Sequence, residues 1–291
     1  SNGVNYRNFA LLGDPAIRLA YPKYNVMTTN APDTIKALEK VTIDGMVADE
    51  FGAKVDDFNG VVQVTVYDQP QEVSTLDNDD EGVFKYNSQE SIIFKGKATV
   101  KNGEFSFTFV VPKDIIFDFG NAKISYYADD GSVDANGAYE KIVIGGRSEN
   151  AGSDQKGPEV NLWMNDESFV VGGMTDQNPN LFAKVFDENG INTVGNGIGH
   201  DITAVLDENT ANAIVLNDYY ESDLDSYQSG TITYPFEKLE KGKHTLSLKV
   251  WDVYNNSGKA FTEFIVADKS ELAIDHVLNY PNPFTTNTAF Y

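Results

Sequence analysis

Ile92-Ile93-Phe94-Lys95-Gly96-Lys97-Ala98-Thr99-Val100-Lys101-Asn102-Gly103-Glu104-Phe105-Ser106-Phe107-Thr108-Phe109-Val110-Val111 is the stretch on which the fold is decided. Ile92, Phe94, Gly96, Ala98 and Val100 recur at every second position, with Lys95, Lys97 and Thr99 between them. After the Asn-Gly pair the alternation resumes as Phe105, Phe107, Phe109 and Val111, against Glu104, Ser106 and Thr108. Side chains on a strand point to alternate faces, so each run predicts a strand with one buried face. Asn102-Gly103 tolerates two successive positive φ angles, the requirement of the two-residue turn that matches strand twist. The stretch therefore predicts a β-hairpin. Lys101 and Glu104, of opposite charge, flank the turn as an expected cross-strand pair.

The same period of two recurs outward from this hairpin. Val62, Val64 and Val66 alternate with Gln63, Thr65 and Tyr67, and Leu246, Leu248 and Val250 alternate with Thr245, Ser247 and Lys249. Shorter runs predict strands over 41–47, 122–128, 138–144, 181–186, 202–206, 232–234 and 261–266. Only Asp33–Glu39 could hold a turn or two of helix. Fifteen Tyr and eighteen Phe suit half-buried pleated surfaces. The 24 Gly and ten Pro are spread along the chain as turn formers. The expected class is all-β.

Residues 145–158, Gly-Gly-Arg-Ser-Glu-Asn-Ala-Gly-Ser-Asp-Gln-Lys-Gly-Pro, have almost nothing to bury and read as a linker or long loop. On either side the order of events is alike: strand, glycine turn, strand ending in Tyr127-Ala128-Asp129 or Val250-Trp251-Asp252, turn, last strand. That similarity predicts two copies of one architecture, tandem immunoglobulin-like β-sandwich modules over 25–146 and 159–268, with 147–158 as the linker. A chain of 291 residues suffices for two such cores.

Charge and composition narrow the function. The chain carries 22 Lys and Arg against 44 Asp and Glu, a net −22. Nucleic-acid affinity rests on basic side chains replacing counterions, so a phosphate backbone is repelled, as is an anionic membrane. With no Cys, the chain has no thiol nucleophile, disulfide or cysteine-ligated zinc. No apolar run approaches the ~20 residues of a membrane span, and the sequence does not open on a signal peptide.

Candidate sites are few. His200, His244 and His276 lie at no metal-ligand spacing, and no Ser sits in a G-x-S-x-G elbow. His200 ends the run Gly195-Asn196-Gly197-Ile198-Gly199-His200, which lacks the Gly-Lys-Ser/Thr of a phosphate loop and reads as a glycine-rich surface loop or irregular edge strand. Asp77-Asn78-Asp79-Asp80-Glu81-Gly82 has the composition of a calcium loop without its ligand spacing, and reads as a solvated hairpin tip with a weak calcium site as the alternative. Asp187-Glu188-Asn189-Gly190 reads as a turn. Trp251 is expected to pack at a strand end; with Trp163 it could instead form a sugar-stacking platform. No catalytic, cofactor-binding or metal-ligating residue is assigned, and no cofactor is expected beyond the possibility of calcium.

Two terminal segments carry a family resemblance. Asn5-Tyr6-Arg7-Asn8-Phe9-Ala10-Leu11-Leu12-Gly13-Asp14-Pro15-Ala16-Ile17-Arg18-Leu19 resembles the closing segment of a gingipain-type cysteine peptidase domain, of the sortase-like kind found in the type IX secretion system of Bacteroidetes. Asn279-Tyr280-Pro281-Asn282-Pro283-Phe284 is similar to the opening of a type IX C-terminal sorting domain. Residues 190–201 and Leu216-Asn217-Asp218-Tyr219-Tyr220 look like the same family.

The resemblance implies that 1–24 is the tail of a catalytic domain and 269–291 the start of a truncated sorting domain. It implies export to the cell surface at the outer membrane, with an outer-membrane β-barrel of PorV type and secreted cargo as partners through the parent protein. The family's catalysis uses a Cys–His pair, and no position here matches it. The expected role is thus a non-catalytic β-sandwich region of a surface cysteine endopeptidase, positioning the catalytic domain and offering partner or cargo contacts. The alternative is a ligand-binding adhesin or carbohydrate-binding module, using Trp163, Trp251 and surface tyrosines such as Tyr219 and Tyr220. A third expectation is that calcium stabilises the modules.

Overall fold

The computed structural model describes residues 21–78, 82–193 and 199–267, and the backbone of 279–280 and 289–290. The first half contains β1 (Tyr24–Asn30), β2 (Thr34–Ala37), β3 (Lys40–Ala48), β4 (Gly60–Tyr67), β5 (Gln71–Ser74), β6 (Lys85–Ser88), β7 (Ile92–Val100), β8 (Glu104–Val110), β9 (Gly120–Asn121), β10 (Lys123–Asp129), β11 (Asp134–Tyr139) and β12 (Val143–Arg147). Seven of them form one sheet in the order β7-β4-β10-β11-β1-β3-β8, and β2-β12-β9 form another. The second half contains β13 (Glu159–Met164), β14 (Met174–Thr175), β15 (Asn180–Phe186), β16 (Thr203–Leu206), β17 (Ile214–Val215), β18 (Tyr220–Ser222), β19 (Ser229–Pro235), β20 (Gly242–Trp251) and β21 (Ser257–Val266). These make sheets β13-β15-β19-β18 and β14-β21-β20-β16-β17. The protein is all-β, a pair of β-sandwich modules.

Each half has its own core. The first gathers Val26, Ile35, Ile43, Phe58, Val64, Phe109 and their neighbours; the second gathers Met164, Leu181, Ile202, Leu248, Phe264 and theirs. Val62, Val64 and Val66 are at most 1% exposed, as are Leu246, Leu248 and Val250. The period-two pattern thus fixes which face turns inward.

The turn at Asn102-Gly103 has φ of 51° and 75°, the two positive values expected. Its strands, however, do not pair along their length. Beyond the Lys101–Glu104 bridge, β7 pairs with β4 and β8 with β3, so the two strands stand at opposite ends of the seven-stranded sheet. Their inner faces still meet, through Phe94 stacked 4.7 Å from Phe109 and 6.0 Å from Phe107. A turn dictates reversal but not partner, and β3 and β4 each offer eight or nine residues of matching alternation. Glu104 gives its carboxylate to Lys54 at 3.0 Å rather than to Lys101. A bulge opposite Tyr67 also puts Ile93, not Ile92, into the core.

Three other expectations are corrected. Within 33–39 the chain forms β2 (Thr34–Ala37) instead of helix: Ile35 and Ala37 are fully buried at period two, and so short a helix would not repay its nucleation. The expected strand over 138–144 is two, β11 and β12, which join different sheets. The halves are not copies either, since seven plus three strands face four plus five.

Candidate metal centre and the seam between the modules

Residues 148–158 do not run free after β12. Ser148 N–H donates to the Ala37 carbonyl at 3.0 Å, and the far end lies tightly on the second module. A Cβ on Gly258 would stand 1.9 Å from the Pro158 carbonyl oxygen, so only glycine permits this approach. Gly258→Ala should therefore lift the Pro158 strand entry and cost about 1–2 kcal/mol. A urea titration checks this, and an unchanged midpoint would refute the close docking.

In the middle of this stretch Asp154 meets two carboxylates from distant turns. Asp187 follows β15, and Asp252 follows β20. One carboxylate oxygen from each of the three lies within 4.8 Å of the others. Asp252 is 0% and Asp187 6% exposed. Local backbone holds each in place. Asp252 Oδ1 accepts from the N–H groups of Tyr254 at 2.9 Å and Asn256 at 2.7 Å, and its Oδ2 from Asn256 Nδ2 at 2.8 Å. Asp187 Oδ1 accepts from Asn189 N at 2.8 Å and Gly190 N at 3.1 Å. Asp154 takes the N–H of Lys156 at 2.9 Å and Asn189 Nδ2 at 2.7 Å. Burial pushes the Asp187 carboxyl up to about 6, with the Asp252 and Asp154 charges acting in the same direction. Asp252 is likewise raised, chiefly by burial and to a smaller extent by the Asp154 charge, against the hydrogen bonds from Asn256.

Three carboxylates at this range, two of them out of water, repel one another unless protons or a cation neutralise them. Oxygens sharing a calcium ion at about 2.3–2.6 Å would lie no more than roughly 5 Å apart, which this group satisfies. A cavity of about 30 Å³ opens beside Asp154 and Asp187. Sequence reasoning missed the group because its members belong to a linker and two turns far apart in the chain. The Asx geometry of Asp187-Glu188-Asn189-Gly190 and of Asp252-Val253-Tyr254-Asn255-Asn256 was the only local signal. The acidic run 77–82 gives less: Asp77 Oδ1 accepts from Gly82 N at 2.7 Å, and 79–81 lie outside the described residues.

A second set of contacts joins the modules directly. Asp225 N–H donates to the Lys97 carbonyl at 2.9 Å, and the Asp225 carboxylate accepts from Thr99 N at 2.6 Å and Thr99 Oγ1 at 2.7 Å. Lys97 Nζ lies 2.6 Å from Glu221, and Lys97 and Leu224 form one parallel bridge. Farther along, Lys113 N–H donates to the Val253 carbonyl at 2.9 Å. Asp114 accepts from Asn255 Nδ2 at 2.8 Å and sits 2.5 Å from His200 Nδ1. Tyr227 of the second module packs against the first core, with Lys40 above its ring. Exposed ion pairs contribute little individually, but these contacts are spread over two well-separated places and so fix an angle.

The sequence-singled residues are thereby placed. His200 is a seam residue, edge-on to Trp251 with ring centroids 4.5 Å apart. His244 is structural, between Asp207 and the Glu240 carbonyl, each at 2.8 Å, and stacked on Phe264. His276 lies outside the described residues. Trp251, last residue of β20, carries the Lys249 ammonium 3.8 Å from its ring. Trp163 lies on β13 beside Phe182, in the other sheet of the module. Tyr220 is buried and Tyr219 is 40% exposed. The sugar-platform alternative thus loses Trp251, whose ring is covered by Lys249 and His200. Both terminal segments that carried the family resemblance lie outside the described residues, apart from the short backbone pair at 279–280 and 289–290.

Two cores, four principal sheets and a contacting seam define the class, a tandem of β-sandwich modules. Within that class the chain is similar to PorU of Porphyromonas gingivalis, solved as a dimeric latent form: 32% identity over 94% of this chain, with a TM-score of 0.52. The match takes in 26% of the PorU chain, so this chain spans about a quarter of that protein's length and is related to a region of it. Fibronectin(III)-like modules of Clostridium thermocellum CbhA align over 86% of this chain and 98% of theirs, at 14% identity and a TM-score of 0.24. No family model and no curated protein matches the sequence. No helix among the described residues is long and apolar enough to cross a membrane.

Proposed function

We propose that this chain is the non-catalytic β-sandwich region of a PorU-type cysteine endopeptidase, exported by type IX secretion to the cell surface at the outer membrane. Its two modules act as one stiff spacer, holding the catalytic domain at a set distance and offering surface to a β-barrel partner of PorV type and to cargo. The observation that carries the reading is the seam from Lys97–Thr99 to Glu221–Asp225 and from Lys113–Asp114 to His200 and Val253–Asn255. A flexible tether would need no such contacts, since independent modules move freely by default. The similarity to PorU over nearly the whole chain supports the identity of the parent.

The test combines Asp225→Ala with Asp114→Ala. Calorimetry of the unaltered chain should show the modules melting together, and the double variant should resolve into two transitions with a larger radius of gyration by small-angle scattering. In the full-length parent the same pair should slow removal of sorting domains from cargo with its catalytic residues intact. Uncoupled modules with undiminished processing would end the positioning role.

A further inference from the structure

We infer that the cleft between the two modules, walled by the free edges of β7 and β18, is a docking slot for an extended peptide bearing a basic side chain. β7 and β18 are end strands of their sheets. They run parallel and pair at a single bridge among the described residues, Lys97–Leu224. From that point toward Ile92 and Asn217 the edges stay apart. Two cavities of about 240 and 250 Å³ lie between them, sharing Lys95, Asp218 and Tyr220. A third, of about 270 Å³, continues past Glu90 along Ser88 and Val73.

Neighbouring residues of a strand turn their backbone groups to opposite sides. On β7 the Lys97 carbonyl and the Thr99 N–H reach Asp225, so the N–H and carbonyl of Lys95 face the cleft as well. Just after β18 the Asp223 N–H donates to the Ser229 carbonyl of β19, which turns the backbone groups of Ser222 and Tyr220 the other way, toward β7. Both walls therefore offer unpaired strand-edge groups, the main-chain pattern that an added strand completes. A side chain points to a ligand independently. Ser222 lines the cleft, is 7% exposed, and its hydroxyl is buried without a hydrogen-bond partner. Buried hydroxyls are ordinarily paired.

Dimensions and charge choose the occupant. From Ile92 to Lys97 the slot has the length of about five extended residues. Cavities of this size between two modules have room for a single extended chain and not for the edge of another folded sheet. Lys97 is neutralised by Glu221 at 2.6 Å, which leaves the Lys95 ammonium against the carboxylates of Glu90 and Asp218. A peptide with Lys or Arg toward Glu90 and Asp218 balances that excess. The slot exists only while the modules are docked, so the inference rests on the seam that carries the spacer role and adds a ligand to it.

The experiment uses the whole chain and a panel of fluorescein-labelled heptapeptides of alternating Thr and Gln, with Lys placed at each position in turn. Anisotropy titrations should find saturable binding, and the Lys95 amide should exchange with deuterium about tenfold more slowly in the complex. Methylating alternate backbone nitrogens of the best peptide, or exchanging its Lys for Glu, should weaken binding about tenfold or more. Asp218→Lys should do the same from the protein side. Ser222→Ala should cost about threefold to tenfold in affinity without lowering the melting temperature of the free chain, since the hydroxyl it removes has no partner there. The Asp225→Ala, Asp114→Ala pair should lose the peptide altogether. No binding by any Lys-bearing peptide to a chain whose modules melt together overturns the slot and leaves the spacer role standing; modules that melt separately remove both. Binding that is indifferent to N-methylation, or that survives in the double variant, places the peptide elsewhere and overturns the slot.

Discussion

Phe109→Ala should lower the stability of the first module by about 3–5 kcal/mol, the usual cost of emptying a large aromatic from a core. Phe109 is 0% exposed, stacked 4.7 Å from Phe94 and 6.2 Å from Phe107. Its removal loses apolar burial, leaves a cavity that facing strands cannot collapse into, and breaks ring contacts worth about 0.5–1.5 kcal/mol beyond burial. Because β7 and β8 stand at opposite ends of the sheet, the Phe94–Phe109 stack also ties those ends together on the inner face, beyond the turn and the Lys101–Glu104 bridge. A fall of roughly 10–20 °C in melting temperature is expected. Phe109→Leu should recover more than half of the loss, and a drop below about 1 kcal/mol for the alanine variant would contradict the packing.

The second large effect is on pH. Without divalent metal, the second module should be more stable at pH 5 than at pH 8. Asp187 has a folded value raised from 3.8 to about 6, so the fold binds more protons than the unfolded chain between those values. Its contribution is fully present below 3.8 and is lost as pH rises through about 6. At 1.36 kcal/mol per pH unit the whole excursion is roughly 3 kcal/mol, of which about 1.4 kcal/mol falls between pH 5 and pH 8. Asp252, raised chiefly by burial, acts with the same sign. His244 does too: burial would lower it, but the Glu240 carbonyl and Asp207 outweigh that and raise it, so its stabilisation is lost as pH climbs through its folded value. The lowered carboxylates Asp166 and Glu221 act in the opposite sense only below their ordinary values of 3.8 and 4.5, outside this window. Urea midpoints in EDTA should fall from pH 5 to pH 8, with about 1.4 kcal/mol of the loss from Asp187 and further loss of the same sign from Asp252 and His244. Asp187→Asn should flatten much of the slope, and a flat profile for the unaltered chain would show that the three carboxylates are not crowded as described.

What the sequence disclosed follows from the range of the physics behind it. Alternation and turn chemistry are local, so the inward faces of Val62–Val66, Phe105–Phe109 and Leu246–Val250 and the positive φ pair at Asn102-Gly103 could be read directly. Strand partnership is not local. Nothing in Ile92–Val111 says that its two strands pair with β4 and β3 in preference to each other, and nothing in residues 138–144 marks the passage between sheets. The same limit hid the carboxylate group, whose turns are legible one by one while their meeting depends on how the linker is laid down. The seam was invisible for a further reason: Lys97, Thr99, Asp114 and Asp225 are ordinary surface residues until a second module stands opposite them.

The single bridge between Lys97 and Leu224 has one more consequence. The end strand β7 presents outward-facing backbone groups of the kind that recruit strands from other molecules into fibres and aggregates. The second module occupies that flank with Leu224 and Asp225, and Lys95 and Lys97 add positive charge along it. Severed from its neighbour, the first sandwich would be left with a sticky flank; in tandem, each copy can stand crowded beside others without polymerising through it.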